Sequence, residues 1–309
     1  MLLHVHTPVI QSLRLSQLLN TNVWLKLEAL QPSGSFKTRG VGYACEAYVG
    51  KGAKAFVSSS GGNAGLAVAY AGRRLNVPVT VVVPTTTKQR AIELIAQEGA
   101  QVIVHGQSWL QAHERALELV NDEVVYIHPF DDPLLWQGHA SLIDEVVQDG
   151  ITPDLVVLSV GGGGLLAGVV EGLVRNNLKH VPVLAVETKG ADSFALAVNS
   201  DQHLALSSIT SIATSLGATK VSEHAFALAK THPINSHIVT DKQAVAACLQ
   251  FLNDNRVLVE PACGASLAAV YEADQQALDV YADKKNILVV VCGGVGASIE
   301  QLNDWNSSL

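Results

Sequence analysis

The sequence is poor in charge, and the charge it has is mostly negative. Charged residues make up 16% of the 309 residues, with 20 Lys and Arg against 28 Asp and Glu and a formal net charge of -8. A negatively charged chain repels the phosphates of nucleic acids and of anionic membrane surfaces. We therefore expect no nucleic-acid partner and no membrane partner.

Cysteines and targeting signals are scarce as well. The four cysteines, Cys45, Cys248, Cys263 and Cys292, lie far apart without CxxC or Cys/His ligand spacing, so the pattern favours neither a zinc site nor a disulfide framework. The opening residues lack the basic and apolar regions of an export signal, and the long apolar runs are broken by Gly or polar residues. These features predict a cytoplasmic protein with reduced thiols.

Apolar runs that are typical of buried strands alternate with longer helical patterns. Val-rich strands separated by helices predict an α/β fold of open, twisted, mostly parallel sheets with helices on both faces. In such folds the ligand site lies at the carboxyl ends of the strands. The runs are AFVSS, VTVVVP, QVIVHG, EVVYI, DLVVLSV, PVLAVE and NILVVVCGG, and TTTKQRAIELIAQEG is one of the helical patterns.

The stretch PSGSFKTRG places small and turn-forming residues around a single lysine, Lys37. One interpretation is a solvated lysine between ordinary turn residues. The other is a nucleophilic amine held where a carbonyl compound can reach it. The stretch alone leaves both open.

Four consecutive glycines, Gly161, Gly162, Gly163 and Gly164, follow a predicted strand and precede a predicted helix. Backbone N–H groups at such a helix start favour a phosphate. The pattern Gly162-x-Gly164-x-x-Ala167, with Glu187 at the end of the next strand, also fits the dinucleotide motif. An NAD-dependent dehydrogenase is therefore an alternative at this point.

The loop SSSGGNAG offers hydroxyls, glycines and the amide of Asn63 at the start of another helix. It suits a carboxylate, and it equally suits a helix cap by Ser60 or Asn63. Cys292 follows the strand ILVVV and by itself is typical of a small buried residue. We expect His128 and His139 to be structural, since no triad partners accompany them.

Together and in this order, PSGSFKTRG, SSSGGNAG, SVGGGGLLAG and VVCGG resemble the motifs of fold type II pyridoxal-phosphate-dependent enzymes. They are most similar to those of the L-serine dehydratase/L-threonine deaminase family. The stretches VEPACGASLAAVY and PFDDPLLWQGHAS look like that family too, so the resemblance covers nearly the whole chain. It disfavours the dehydrogenase, which has no evident use for the lysine motif.

The resemblance implies a site for pyridoxal phosphate and an amino acid. Lys37 would bind the cofactor covalently and act as general base, and Ser60 would be the second catalytic residue. Cys292 would face the ring nitrogen as a neutral thiol. The other cofactor-binding residues implied are Phe36, Asn63, Gly161, Gly162, Gly163 and Gly164. The implied substrate-binding residues are Ser60, Gly61, Gly62, Asn63 and Ala64.

The resemblance also implies a monovalent cation, potassium, a homodimer and two domains like those of the tryptophan synthase β chain. A large domain would comprise residues 1–30 and 133–309, and a small domain of residues 31–132 would close over the substrate. The expected cation ligands are the Glu187 carboxylate and the carbonyls of Gly161, Ala191, Leu216 and Ala218. Oxygen ligands suit such an ion.

The expected reaction is β-elimination of L-serine, and of L-threonine, to pyruvate or 2-oxobutanoate and ammonia. Racemases of this fold read SSGNHG where this chain has Gly61 before Gly62 and Asn63, so we expect no racemisation. A β-replacement enzyme of the cysteine synthase type is the alternative that shares the cofactor. After VVCGG the chain reads VGAS, where polar residues are more typical of the family.

Overall fold

The structure, a computed structural model, describes residues 2–273 and 279–309. Strands and helices alternate along most of this length, as the apolar runs predict. The strands are β1 (Val9–Gln11), β2 (Asn22–Lys26), β3 (Ala55–Ser58), β4 (Val79–Val83), β5 (Gln101–Val104), β6 (Val124–Tyr126), β7 (Leu155–Ser159), β8 (Val183–Thr188), β9 (Ile234–Val239) and β10 (Asn286–Val290).

The helices vary from one and a half turns to more than four. The α-helices are α1 (Leu13–Leu19), α2 (Lys37–Gly50), α3 (Asn63–Leu75), α4 (Gln89–Gln97), α5 (Trp109–Leu117), α6 (Pro133–Gln148), α7 (Gly164–Arg175), α8 (Ser193–Ser200), α9 (Glu223–Leu228), α10 (Asp241–Asn255), α11 (Pro261–Tyr271) and α12 (Ile299–Ser308). Short 3-10 helices cover Glu28–Leu30, Thr214–Leu216 and Asp279–Tyr281.

Two separate sheets organise the chain. The larger has the strand order β1-β2-β10-β7-β8-β9, and only its β1–β2 pair is antiparallel. The smaller has the order β5-β4-β3-β6 and is parallel throughout. The predicted α/β class with open, mostly parallel sheets is confirmed.

Every apolar run predicted as a strand forms one, and three strands were not predicted. These are β1, β2 and β9, which lie at or next to an edge of the larger sheet. β9 is half-exposed over most of its length. Most of the predicted strands, such as β7, β8 and β10, are buried along their length, and buried strands carry continuous apolar runs. β5 was also predicted from such a run, although its two ends are exposed.

Each sheet has its own hydrophobic core. The larger core contains β2, β7, β8 and β10 with the helices that cover them, and the smaller core surrounds β3 and β4. The smaller core also takes in Leu3 and Leu135, which lie outside residues 31–132. The domain boundaries stay a prediction. In the described part of the chain, none of the helices has the length and apolarity to cross a membrane.

Candidate active site

Lys37 is the first residue of α2 and is held by two neighbours. Its Nζ donates a 2.5 Å hydrogen bond to the Pro129 carbonyl oxygen and lies 5.0 Å from the centroid of the Phe36 ring. Burial lowers the pKa of the Lys37 amine to about 8, with the Cys292 thiol acting in the opposite direction. A substantial fraction of this amine is therefore neutral near pH 7 to 8, the nucleophilic form.

A buried ionic network fixes the helix that carries Lys37. Arg39 is fully buried and donates two hydrogen bonds to the Glu28 carboxylate, of 2.7 and 2.8 Å. Two more, of 2.7 and 2.6 Å, reach Glu145 on α6. Lys26 of β2 donates to the same Glu145 over 2.6 Å. Two positive and two negative side chains balance here, so α2 is tied to both β2 and α6 beside the reactive lysine.

The four glycines form the start of α7. The helix begins at Gly164, and Gly163 precedes it with φ of 92° and no capping side chain. The first N–H groups of a helix have no partner within it and carry its positive dipole. An uncapped helix start formed by residues without Cβ atoms fits the phosphate of pyridoxal phosphate.

One turn, residues 128–131, contacts both Lys37 and the glycine run. Its Pro129 carbonyl accepts the hydrogen bond from Lys37. Its Phe130 packs on the glycines so closely that a Cβ at Gly162 would lie 2.2 Å from a ring carbon, and one at Gly164 would lie 2.8 Å from the Phe130 oxygen. The structure therefore brings together the lysine and the predicted phosphate loop.

The SSSGGNAG loop leads into α3, which begins at Asn63. The Ser60 hydroxyl accepts a 3.3 Å hydrogen bond from the Gly62 N–H, and Ala64 is buried in the first turn. A Cβ at Gly65 would lie 1.8 Å from the Ser60 carbonyl oxygen. The tight loop thus needs a glycine after Ala64, and Gly61 and Gly62 precede the helix start. Carboxylate binding by this loop stays a prediction.

Asn63 bridges the two sheets through a residue that the sequence analysis missed. Its Nδ2 donates to Glu260 over 2.7 Å and to Ser215 over 3.3 Å, and its Oδ1 accepts from the Val295 N–H over 3.1 Å. Glu260 is buried and also accepts a 2.8 Å bond from the Gly296 N–H. Backbone N–H groups of the VGAS stretch thus provide hydrogen bonds where polar side chains were expected.

The pKa of Glu260 reflects its surroundings. Burial raises the pKa of this carboxyl, whereas hydrogen bonds from Ser215, Gly296 and Asn63 lower it. Its position before Pro261 resembles an ordinary helix start, because an acid followed by proline is a common N-terminal pattern. A single sequence therefore carries no signal that separates it from a capping residue.

Cys292 lies two residues beyond β10, beside the lysine motif. Its carbonyl accepts a 3.1 Å hydrogen bond from the Phe36 N–H, and its side chain is 6% exposed. A hydrogen bond with Cys263, together with burial, raises the pKa of the Cys292 thiol well above its usual range. The thiol is therefore neutral, and its position facing the ring nitrogen stays a prediction.

Of the predicted cation ligands, Glu187 lies in β8, Gly161 and Ala191 follow β7 and β8, and Leu216 and Ala218 lie in or just after a 3-10 helix. Glu187 is fully buried, and its two carboxylate oxygens accept bonds of 2.8 and 2.7 Å from the N–H groups of Phe194 and Ala195. Burial raises the pKa of Glu187 to about 8, although these two hydrogen bonds act to lower it. A Cβ at Gly161 would lie 3.0 Å from the Leu216 Cα. The Ala218 N–H donates a hydrogen bond to the Leu216 carbonyl. Ala191 pairs with Thr188 in an isolated antiparallel β-bridge.

His139 is buried between α2 and α7. Its Nδ1 accepts a 3.2 Å hydrogen bond from the Gly40 N–H, and its ring lies 4.9 Å from the Phe36 ring. Burial lowers the pKa of His139 well below its usual value. A neutral ring that packs against Phe36 and Gly40 agrees with the structural role that the sequence analysis expected.

Three comparisons agree on the kind of protein. The model of the family described as pyridoxal-phosphate dependent enzyme matches residues 1–293. The chain is 47% identical to L-serine dehydratase of Dictyostelium discoideum over 99% of its own length and 93% of the relative. It is also 47% identical to L-serine dehydratase/L-threonine deaminase of Homo sapiens, over 99% and 96%.

The chain is also similar in fold to solved structures of such enzymes. A fungal L-serine ammonia-lyase from Rhizomucor miehei superposes with a TM-score of 0.92 at 35% identity, covering 99% of this chain and 98% of that one. Threonine deaminase isoform 2 from Solanum lycopersicum gives 0.89 at 27% identity, covering 99% and 88%. The two-domain arrangement of fold type II enzymes therefore holds here, and the NAD alternative for the glycine run is not supported.

Proposed function

Because this chain belongs to the L-serine dehydratase/L-threonine deaminase family of pyridoxal-phosphate-dependent enzymes, we propose that it converts L-serine to pyruvate and ammonia and L-threonine to 2-oxobutanoate and ammonia. The observation that supports this most is the turn that joins the Lys37 amine to the glycine run. One turn thus contacts the two groups that would bind the carbonyl and the phosphate of the cofactor.

The residues of the site divide the chemistry among them. Pyridoxal phosphate, when bound, supplies the carbonyl carbon that takes the amino nitrogen and the conjugated ring that withdraws electrons from the α-carbon. Lys37 would hold it, with Phe36 beside the ring and Gly161 to Gly164 at the phosphate. The Nζ of Lys37 then removes the α-proton, for which its lowered pKa is suited.

The SSSGGNAG loop binds and orients the substrate. N–H groups at the start of α3 and the Ser60 hydroxyl bind the carboxylate. The β-hydroxyl leaves as water and needs a proton, which would come from the cofactor phosphate at the glycine run or from the Ser60 Oγ. The net change at the substrate is loss of the α-proton and the β-hydroxyl, and hydrolysis then releases ammonia and the keto acid.

Cys292 and Asn63 tune the ring. A thiol with a raised pKa accepts or donates only a weak hydrogen bond and cannot protonate the ring nitrogen as a carboxylic acid would. With pyridoxal phosphate bound, Cys292 would thereby favour early loss of the β-substituent over transamination. Asn63 would contact the 3-oxygen of the ring in exchange for one of its bonds to Glu260 or Ser215.

We also propose that a monovalent cation, potassium, binds at Glu187. The Glu187 oxygens each accept one backbone hydrogen bond and keep a further lone pair, and this buried carboxyl has no cationic partner among its described contacts. A cation at this point would favour its charged form. The Gly161 and Leu216 backbones meet nearby, which supports carbonyl ligands from both.

We further propose a cytoplasmic homodimer. The thiols are free and buried, which suits a reducing compartment. Large apolar side chains near the amino terminus are exposed, among them Leu2 at 71% and Leu13 at 73%, and a second copy of the chain would cover them. Light scattering that gives twice the chain mass supports the dimer.

The test of the function is a product assay with the purified holoenzyme. L-serine should yield equal amounts of pyruvate and ammonia, and L-threonine should yield 2-oxobutanoate. An activated serine with sulfide is the control, since a β-replacement enzyme makes cysteine from this pair. Cysteine formation without ammonia release from serine would overturn the proposal.

A further inference from the structure

One ring nitrogen accepts two backbone hydrogen bonds within the turn that joins Lys37 to the glycine run. The Nδ1 atom of His128 accepts hydrogen bonds from the N–H groups of Phe130, over 3.2 Å, and Asp131, over 2.7 Å. The imidazole also lies edge-on to the Phe130 ring, with centroids 4.7 Å apart at 84°. The side chain thus fixes the backbone on both sides of Phe130.

The two residues inside the turn are the ones that touch the cofactor-binding groups. Pro129 presents its carbonyl to the Nζ of Lys37 over 2.5 Å, and Phe130 fills the space beside Gly162. A different path of the backbone would move both contacts at once. The Trp136 Nε1 also donates to the Phe130 carbonyl over 2.9 Å, which holds the far side of the turn.

The arrangement requires one tautomer of His128. Two N–H donors on Nδ1 need its lone pair, so the ring proton lies on Nε2. Burial lowers the pKa of His128 to about 4, and the charges of His113 and Lys37 act in the same direction while Asp132 opposes them. The ring is therefore neutral at physiological pH, and Nδ1 stays an acceptor.

We propose that His128 is a positioning residue: by accepting two backbone hydrogen bonds at Nδ1, it holds the 128–131 turn so that Pro129 orients the Lys37 amine and Phe130 supports the phosphate-binding glycines. This rests on the proposed attachment of the cofactor to Lys37. The sequence analysis expected only a structural histidine here.

Two substitutions at His128 distinguish the role of the Nδ1 acceptor from that of the aromatic ring. An asparagine side chain in place of His128 could still accept from N–H groups two and three residues on, as it does in Asx turns, so His128→Asn should keep cofactor affinity within about threefold. His128→Phe keeps the aromatic contact with Phe130 but has no acceptor, and it should weaken affinity about tenfold or more. The matched control is His232→Phe, which removes a 2.9 Å bond to the Val181 carbonyl near the amino end of β8, away from the site.

The measurement is the dissociation constant of pyridoxal phosphate, and of pyridoxal without its phosphate, from refilled cofactor-free protein. We expect His128→Phe to weaken both ligands, because the turn contacts Lys37 as well as the glycines, and His232→Phe to change neither. Unchanged affinity in His128→Phe, or an equal loss in His128→Asn, overturns the proposal. A loss confined to the phosphorylated ligand contradicts the orientation of Lys37.

A measurement on the unsubstituted protein covers the case in which His128→Phe does not fold. Long-range proton–nitrogen NMR should show the His128 ring with its proton on Nε2 at neutral pH, assigned by the signal lost in His128→Asn. A proton on Nδ1 overturns the proposal. Failure of the unsubstituted protein to bind pyridoxal phosphate would instead overturn the proposed function, and the NMR result would stand apart from it.

Discussion

The protonation states and contacts of single site residues are set by burial and by a few close neighbours. Lys37 is partly neutral because burial lowers its pKa to about 8, and Cys292 is neutral because Cys263 and burial raise its pKa. The carboxyl of Glu260 holds Asn63, yet its sequence context is that of a helix start. The motifs thus predicted Lys37, Asn63 and Cys292, but Glu260 is recognised only by the contacts of its folded position.

Replacing Cys292 should affect catalysis more than folding. Cys292→Ala removes one buried sulfur, which should cost about 1 to 2 kcal/mol of unfolding free energy, and it removes the group that we propose faces the ring nitrogen. We expect kcat for serine to fall by about tenfold or more per folded molecule. Cys45→Ala is the control, since Cys45 is a buried free thiol in the core of the smaller sheet. Equal kcat values in the two variants would make Cys292 a core residue.

Gly61 should keep the enzyme from racemising serine. Racemisation needs an acid opposite Lys37 to return a proton to the α-carbon, and glycine has none. Gly61→Ser should therefore produce measurable D-serine and slow elimination, since its Cβ would lie 2.7 Å from the Thr87 Cγ2 atom. Gly61→Ala, which crowds Thr87 without a hydroxyl, separates the two effects.

Chiral analysis of the serine left after partial turnover gives the answer. The unsubstituted enzyme and Gly61→Ala should leave only L-serine. Substantial D-serine from either one would mean that another group, with Ser60 the first to test, reaches the opposite face of the ring.

At the scale of elements, strands with a continuous apolar run were predictable from the sequence, and strands without one were not. β7 and β10 carry continuous apolar runs, whereas β2 carries Lys26, whose buried amine donates to Glu145 on α6 and to the Thr7 carbonyl. A single sequence shows the lysine but not its distant partner. For the same reason the loops at strand ends were identified by composition, while their mutual contacts were not.

The start of α8 should respond to potassium through Glu187. This carboxyl has a pKa raised to about 8 in the folded protein against about 4.3 when unfolded, so the folded state holds the proton more tightly. Stability contributed by Glu187 is therefore present at low pH and is lost as pH rises through this window. A bound cation favours the carboxylate and should reduce that loss.

Unfolding by urea at about pH 5.5 and about pH 8.5, in potassium chloride or tetramethylammonium chloride, measures the effect. We expect potassium to stabilise the protein more at the higher pH. Glu187→Gln should lose this dependence and about 1 kcal/mol of stability, since one backbone N–H of α8 loses its acceptor. The same potassium effect in Glu187→Gln would exclude Glu187 as a ligand.

At the scale of the whole molecule, the site joins the two sheets. Asn63 begins the helix that follows β3 of the smaller sheet, and it bonds to Glu260 and Val295 beside the larger one. The buried network of Arg39 makes a second connection nearby. The resemblance predicted the motifs beside each sheet. The residues that connect the two sheets are far apart in sequence and share no pattern, so their contacts were not predicted.

Asn63→Ala should loosen this connection without unfolding either core. The Val295 N–H loses its acceptor, so its hydrogen exchange should become faster, while amides of β4 and β7 keep their protection. Affinity for pyridoxal phosphate should also fall, by about tenfold. Unchanged exchange at Val295 would show that Asn63 does not hold the two halves together.

The central claim is that the Lys37 amine carries the cofactor, and borohydride reduction followed by peptide mass analysis tests it most directly. The purified protein should be yellow, and reduction should leave pyridoxyl phosphate on the peptide that contains Lys37 and on no other. Lys37→Ala should be free of the label and release no ammonia from serine. A label on a different lysine, or an active protein without the yellow colour, would contradict the account.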